Sequence, residues 1–208
     1  MSTFDECLKY AESKIWKAEN LYNIFHGPHL KKIRWFWNDP AGRRMQQKDI
    51  DISIEQPGFK NGYINISEKF RSMDYGDMFI ELYSKWSDTE FNSIPGWGLE
   101  GESDFIYYYV PGKLYVIDNE RLKYIVKRIH QRIFGPNFYH NLRGELKELD
   151  SYDLEVNITI NNKEYNIPIQ LRKIKTNAGE NTYQGLGMII EWKYLRKLVN
   201  IYKYGIDE

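Results

Sequence analysis

The chain has 208 residues, 42% hydrophobic and 16% aromatic, and its 29 basic side chains cancel its 29 acidic ones. That length suits one domain with room for an appendage, and zero net charge excludes a molecule whose whole-surface field draws in nucleic acid, while leaving a local basic patch open. The single cysteine, Cys7, excludes an internal disulfide framework and a cysteine-rich zinc site.

No run is long and apolar enough to span a bilayer. The first ten residues are charged and carry no apolar stretch with a cleavage site, so a secretory leader is not expected. A reducing cytoplasm is the expected setting.

Phe4, Leu8, Ala11, Ile15, Ala18 and Tyr22 recur at three- and four-residue spacing and predict a helix over 4–24. Thr3 and Glu6 fit a capping box at its start, and Gly27-Pro28 ends it. Residues 29–45 are basic and aromatic, with Lys31, Lys32, Arg34, Trp35, Trp37, Arg43 and Arg44 around a turn signal at 38–42.

Residues 48–54 alternate Asp49, Asp51 and Ser53 against Ile50, Ile52 and Ile54, the period of a strand. Turn signals at Pro57-Gly58 and Asn61-Gly62 precede a second strand over 63–70. There Asn65, Ser67 and Lys69 share one face, and Ile64, Ile66 and Glu68 the other. A third strand over 78–83 sets Phe79, Glu81 and Tyr83 opposite Met78, Ile80 and Leu82.

Residues 87–104 read as a surface loop. Two strands follow, Phe105–Val110 and Leu114–Ile117, across Pro111-Gly112. A helix over 119–134 starts at Asp118 or Asn119 and carries a basic face. Past Gly135-Pro136 the periodicity fades. A hairpin of 153–160 and 164–171 turns at Asn161-Asn162, and 188–202 reads as either helix or strand. The order predicts an α/β (α+β) domain, a mixed sheet flanked by helices with a C-terminal hairpin. Its core would span 1–134, with 135–208 an extension packed on that core in one compact domain.

The chemistry is concentrated between 46 and 85. Phosphodiester hydrolysis needs charge neutralisation at the phosphate and an activated water, and carboxylate-held divalent metals supply both. A nearby lysine orients the water and offsets developing charge. Asp49 and Asp51 on one strand, Lys69 on the next and Glu81 on a third would converge if those strands were neighbours.

This spacing resembles the PD-(D/E)XK nuclease superfamily, whose site is an Asp on one strand and Glu-x-Lys on the next. More narrowly it resembles uncharacterised phage-type members. The matching segments are Gln47 to Asp51, Ile66 to Lys69, Gly76 to Glu81, and Ser103-Asp104 before Phe105 to Tyr109. The resemblance covers roughly residues 38–130. The resemblance implies a restriction-endonuclease-like core and a Mg²⁺- or Mn²⁺-dependent nuclease acting on DNA in a bacterial or phage-infected cell. It implies Asp51 as first metal ligand, with Asp49 beside it, and Lys69 as catalytic lysine.

The acid of Glu-x-Lys is replaced by Ser67. Three options follow: a bulge re-aims Glu68, Glu81 takes over, or the site has lost catalysis. Glu81 is the acid and metal ligand preferred here, Glu68 the lesser candidate. Glu12 or Glu19 of the first helix, and Asp104, are minor ones. The alternative function is a catalytically inactive nuclease-fold module that binds nucleic acid or a protein partner.

Lys31, Lys32, Arg34, Arg43, Arg44 and Arg71 are the expected nucleic-acid contacts, with Trp stacking on bases. The competing reading is a core of aromatics under snorkelling basic chains. Charged strand faces are commonly just solvated. Oligomeric state stays open, a dimer included.

Overall fold

The computed structural model describes residues 4–27, 30–86, 93–135, 150–178 and 181–206, and their side chains except those of 4–8, 11–12, 16–17, 60, 175–178 and 181–183. The protein is a mixed α+β chain, as the element order predicts. It divides into two compact units that interleave in sequence. The first takes 1–74, 101–120 and 201–208, and the second takes 75–100 and 121–200. This differs from a division at 134/135. Contacts made through β pairing, not sequence proximity, decide which segments cluster.

The first unit begins with α1, Phe4–His26. Gly27 follows with φ +85°, a left-handed position that ends helices and favours glycine. The expected Thr3–Glu6 cap and Glu12 lie outside the described residues and side chains. After α1 come β1 (Lys32–Arg34), α2 (Pro40–Gln47), β2 (Ile52–Glu55), β3 (Tyr63–Phe70), β6 (Phe105–Val110), β7 (Lys113–Asp118) and β11 (Ile201–Gly205). They form one six-stranded sheet in the order β1-β2-β3-β6-β7-β11. Every pairing is antiparallel except β3 with β6. A parallel pair needs a long crossover; here the chain between β3 and β6 leaves to build part of the second unit.

Alternation sorts the sheet faces. Ile52, Ile54, Ile64 and Ile66 meet Ala18 and Tyr22 of α1, with Tyr107, Tyr109 and Leu114, in one buried cluster. Ala18 and Tyr22 lie one helical turn apart, so both present to the same face. Each such buried aliphatic side chain contributes about 1.5–3 kcal/mol.

Residues 38–54 fold differently from their sequence pattern. The expected strand over 48–54 starts only at Ile52. Residues 40–47 are instead the helix α2. Asp39 caps it, accepting from the Ala41 and Gly42 N–H groups, and Pro40 sits in its first turn.

The second unit holds β4 (Asp77–Lys85), β5 (Ile94–Pro95), α3 (Trp97–Glu100), β8 (Ser151–Ile160), β9 (Lys163–Ala178), β10 (Asn181–Glu191) and α5 (Trp192–Leu195). The helix α4 (Asn119–Phe134) starts in the first unit and runs in the second. The strands make a five-stranded antiparallel sheet in the order β5-β4-β10-β9-β8. The β8–β9 hairpin turns at Asn161 and Asn162, both with positive φ, as a two-residue hairpin turn requires. Residues 188–202 resolve into the end of β10, then α5, then the start of β11. Of the segments 48–54, 63–70 and 78–83, the first two pair with each other through β2 and β3, whereas the third, in β4, pairs with β10 and β5.

Within the second unit His130 of α4 packs among Tyr83 and Phe134 and lies 2.6 Å from the Tyr83 hydroxyl. Burial lowers its pKa to about 4. Between that value and the ordinary 6.5 the unfolded chain binds a proton that the folded ring refuses. Stability therefore falls as pH drops through this window, by at most about 3 kcal/mol. Urea denaturation across the window should show the slope in the wild type and its loss in His130→Gln; superimposable profiles would discard this assignment.

Candidate active site

The site lies in the first unit, where α2 hands the chain to β2. The end of α2 is a Schellman turn: the Ile50 N–H donates to the Met45 carbonyl at 3.0 Å, and the Asp49 N–H to the Gln46 carbonyl at 3.0 Å. This puts Asp49 in the left-handed conformation, φ +59°. Glycine or asparagine fills that position more cheaply, and an aspartate there is a strained choice. The turn directs the Asp49 carboxylate to the end of β3. One oxygen, Oδ1, accepts from Lys69 Nζ at 2.5 Å. The other, Oδ2, is buried and has no hydrogen-bond partner.

Two residues on, Asp51 is fixed by its own main chain. Its N–H donates to the Ile66 carbonyl and its carbonyl accepts from Trp35 N–H, both at 2.9 Å. Its Oδ2 accepts the Glu68 N–H at 2.7 Å, with the Ser67 hydroxyl at 3.5 Å. The carboxylate thus takes a β3 donor that a β2 carbonyl would otherwise take, and the β2 ladder stops there. Burial raises the Asp51 pKa, Lys69 opposes, and Asp49 pushes it up again; the net shift is upward. Asp51, Ser67, Asp49 and Lys69 therefore gather where β2 and β3 meet.

Glu68 points to the opposite face, as alternation dictates. There it is buried against α1, where Tyr22 donates to its Oε1 at 2.9 Å and Arg34 donates to Oε2. Arg34 also donates to Glu19 Oε1 at 2.7 Å. Burial lifts the Glu68 pKa while Arg34 pulls it down, and the net shift is upward. No bulge re-aims Glu68 toward Lys69: β3 keeps a continuous register with β6. Glu68 is thus corrected from catalytic candidate to the buried member of a chain that runs from half-exposed Glu19 through Arg34 and Glu68 to Tyr22.

Glu81 belongs to the second unit, on β4 opposite Gly187 of β10. The corner before α3 packs on it: a Cβ added at Gly96 would stand 2.6 Å from Glu81 Cγ. Asp104 closes the sheet, accepting the Asn65 N–H at 2.7 Å. Among the described residues no group of three or more His, Cys, Asp or Glu is placed to hold a metal. The donor set here is Asp49 with Asp51. Two carboxylates plus waters satisfy Mg²⁺, and the unpartnered Asp49 oxygen is a donor such an ion would engage.

Of the expected nucleic-acid contacts, Arg34 is corrected: its guanidinium is consumed by Glu19 and Glu68. Burial lowers its pKa and those two acids reverse this, holding it firmly charged. Lys32 donates to Asn23 Oδ1. Arg71 is half-buried and its N–H donates to the Tyr109 carbonyl. Lys31, Arg43 and Arg44 are exposed. Sequence reasoning missed α2, although Asp39-Pro40 is a cap followed by an N-terminal proline. It also missed the Tyr22–Glu68 contact, which no local pattern encodes.

No helix among the described residues is long and apolar enough to cross a membrane. No family model matches the chain, and no curated protein and no solved structure matches it significantly.

Proposed function

We propose that the protein is a metal-dependent phosphodiester hydrolase acting on DNA, with Mg²⁺ or Mn²⁺ held by Asp49 and Asp51 and with Lys69 beside them. One observation carries this reading. A strained, left-handed Asp49 aims one carboxylate oxygen at Lys69 and leaves the other buried and unsatisfied next to Asp51. The Lys69 ion pair accounts for one Asp49 oxygen only, and the orphaned buried acceptor left beside it costs about 1–3 kcal/mol. A bound divalent cation would lower the pKa of a water and neutralise phosphate charge. Asp51, pinned by the Glu68 N–H, orients its remaining oxygen. The Lys69 ammonium positions the attacking water, which gives up its proton to bulk solvent, and offsets charge as the new P–O bond forms and the leaving P–O bond breaks. The leaving oxygen takes a proton from solvent.

Purified protein should cut DNA with Mg²⁺ or Mn²⁺ and not with EDTA. Asp51→Asn should abolish cutting. Asp49→Gly should do the same while leaving the fold at least as stable, since glycine suits φ +59°. Cutting that persists in both variants removes this site from consideration.

A second reading is favoured by Ser67, which stands where the resemblance expects an acid. It is a nuclease-type fold without catalysis that serves as a binding module for nucleic acid or a protein. Calorimetry with Mn²⁺ separates the two: the hydrolase binds the ion through Asp49 and Asp51, the module does not.

A further inference from the structure

The segment between β1 and β2 has a second feature that the hydrolase reading leaves unused. Trp35 is locked inward: its Nε1 donates to Ser53 Oγ at 2.9 Å and its carbonyl accepts from Gln46 Nε2 at 2.8 Å. The next two residues face outward, Phe36 at 54% and Trp37 at 56% exposure. They are not on a loose loop. Asp39 caps α2 behind them, and Gly42 lies so close that an added Cβ would stand 2.1 Å from the Phe36 carbonyl oxygen. Only glycine lets α2 seat against that backbone. Two large aromatics are thus held in water by a rigid support, at a cost in solvent-exposed apolar area that folding alone does not require.

Charge identifies the occupant. Residues 31–48 hold six basic side chains (Lys31, Lys32, Arg34, Arg43, Arg44 and Lys48) against one acid, Asp39, in a chain of zero net charge. Arg34 and Lys48 are paired, with Glu19 and Glu68 and with Glu102. Lys31, Arg43 and Arg44 are exposed, and no described carboxylate pairs with them. The Arg43 guanidinium lies 6.0 Å from the Trp37 ring centroid, flanking the aromatic face with positive charge. Exposed aromatic faces interleaved with cations suit unstacked bases on a phosphate backbone. A duplex keeps its base faces inside the stack and cannot use them.

We infer that Phe36, Trp37, Arg43 and Arg44 form a stacking platform for single-stranded nucleic acid, carried on the helix whose far end delivers Asp49. The platform's role in feeding a strand to Asp49 and Asp51 rests on the hydrolase reading; binding itself does not. The bases stack on Phe36 and Trp37, and Arg43 and Arg44 take the phosphates.

The test is fluorescence anisotropy in EDTA with labelled oligo-dT, oligo-rU and a duplex of equal length. Wild-type protein should bind the single strands at least about 10-fold tighter than the duplex, and the Phe36→Ala/Trp37→Ala double variant should lose about 30-fold or more of that affinity. Arg43→Gln/Arg44→Gln should lower affinity and flatten the log–log salt slope by about 1.4. All four side chains are exposed, so circular dichroism should be unchanged. Tighter binding of dT or of rU identifies the sugar, and either supports the platform. Equal binding of duplex, an unchanged aromatic variant, or no strand binding at all overturns it, the last pointing to a protein partner for this face. Because EDTA silences cutting, intact strand binding without metal-dependent cleavage defeats the hydrolase reading alone.

Discussion

Lys69→Ala is expected to reduce metal-dependent cleavage by about 10²- to 10⁴-fold, the range for removing a group that positions a proton-transferring water. Manganese binding should survive. Lys69 donates to Asp49 Oδ1 and lies near enough to Asp51 to lower its pKa. Its removal leaves two adjacent carboxylates without their counter-charge, so the Asp51 pKa should climb further. At neutral pH a divalent ion replaces that lost charge, and calorimetry should report Mn²⁺ affinity equal to or above wild type. The variant separates roles: Asp51→Asn loses the ion and the reaction together, whereas Lys69→Ala loses only the reaction. Equal loss of Mn²⁺ in Lys69→Ala would show that Lys69 props up Asp49 and does nothing for the water. Undiminished cleavage would sink the assignment outright.

The largest stability effect is expected at Arg34. Arg34→Met should cost about 3–5 kcal/mol, the scale for breaking a buried ion pair by removing one partner. The Glu68 side chain is 3% exposed and that of Arg34 14%. Without the guanidinium, Glu68 keeps the Tyr22 hydroxyl at 2.9 Å and little else to offset burial. Its folded pKa, already raised, should rise further. The folded state then binds a proton that the unfolded carboxylate lacks in the window above the ordinary glutamate value. Stability of the variant therefore recovers as pH falls into that window, and the deficit against wild type narrows. Glu68→Gln should cost much less, because Gln still accepts from Tyr22 and Arg34 retains Glu19. Urea unfolding at neutral pH and near pH 5 reads both effects; a pH-independent deficit in Arg34→Met would assign the loss to packing alone.

These expectations separate two neighbouring roles that share β3. Odd positions, Ser67 and Lys69, sit with Asp51 and Asp49. The even position, Glu68, belongs to the chain of charges under α1. Mutations on the even face should change stability and leave metal affinity near wild type, and those on the odd face the reverse.

Much of this was legible in the residues. The period-two runs placed β3 at 63–70 and the β6–β7 pair, the Asn161-Asn162 turn placed the hairpin, and the apolar spacing placed α1 and α4. These are local signals: backbone geometry repeats every few residues, and burial on one face imprints that repeat on the sequence. Alternation also placed Ser67 and Lys69 on one face and Glu68 on the other. What lay beyond the sequence was which strands become neighbours. Glu81 has the same alternating context as Lys69, yet β4 pairs with β10, a strand a hundred residues later. Pairing is decided by non-local hydrogen bonds and shared burial, which leave no mark within a ten-residue window. The same holds for Asp49: its sequence reads as a strand, and only the six-residue hydrogen-bonded closure of α2 turns it left-handed and brings its carboxylate to Lys69. Sequence alone determined the residues capable of chemistry and the faces they occupy; the tertiary structure decided which of them meet, because convergence depends on contacts between segments far apart in the chain.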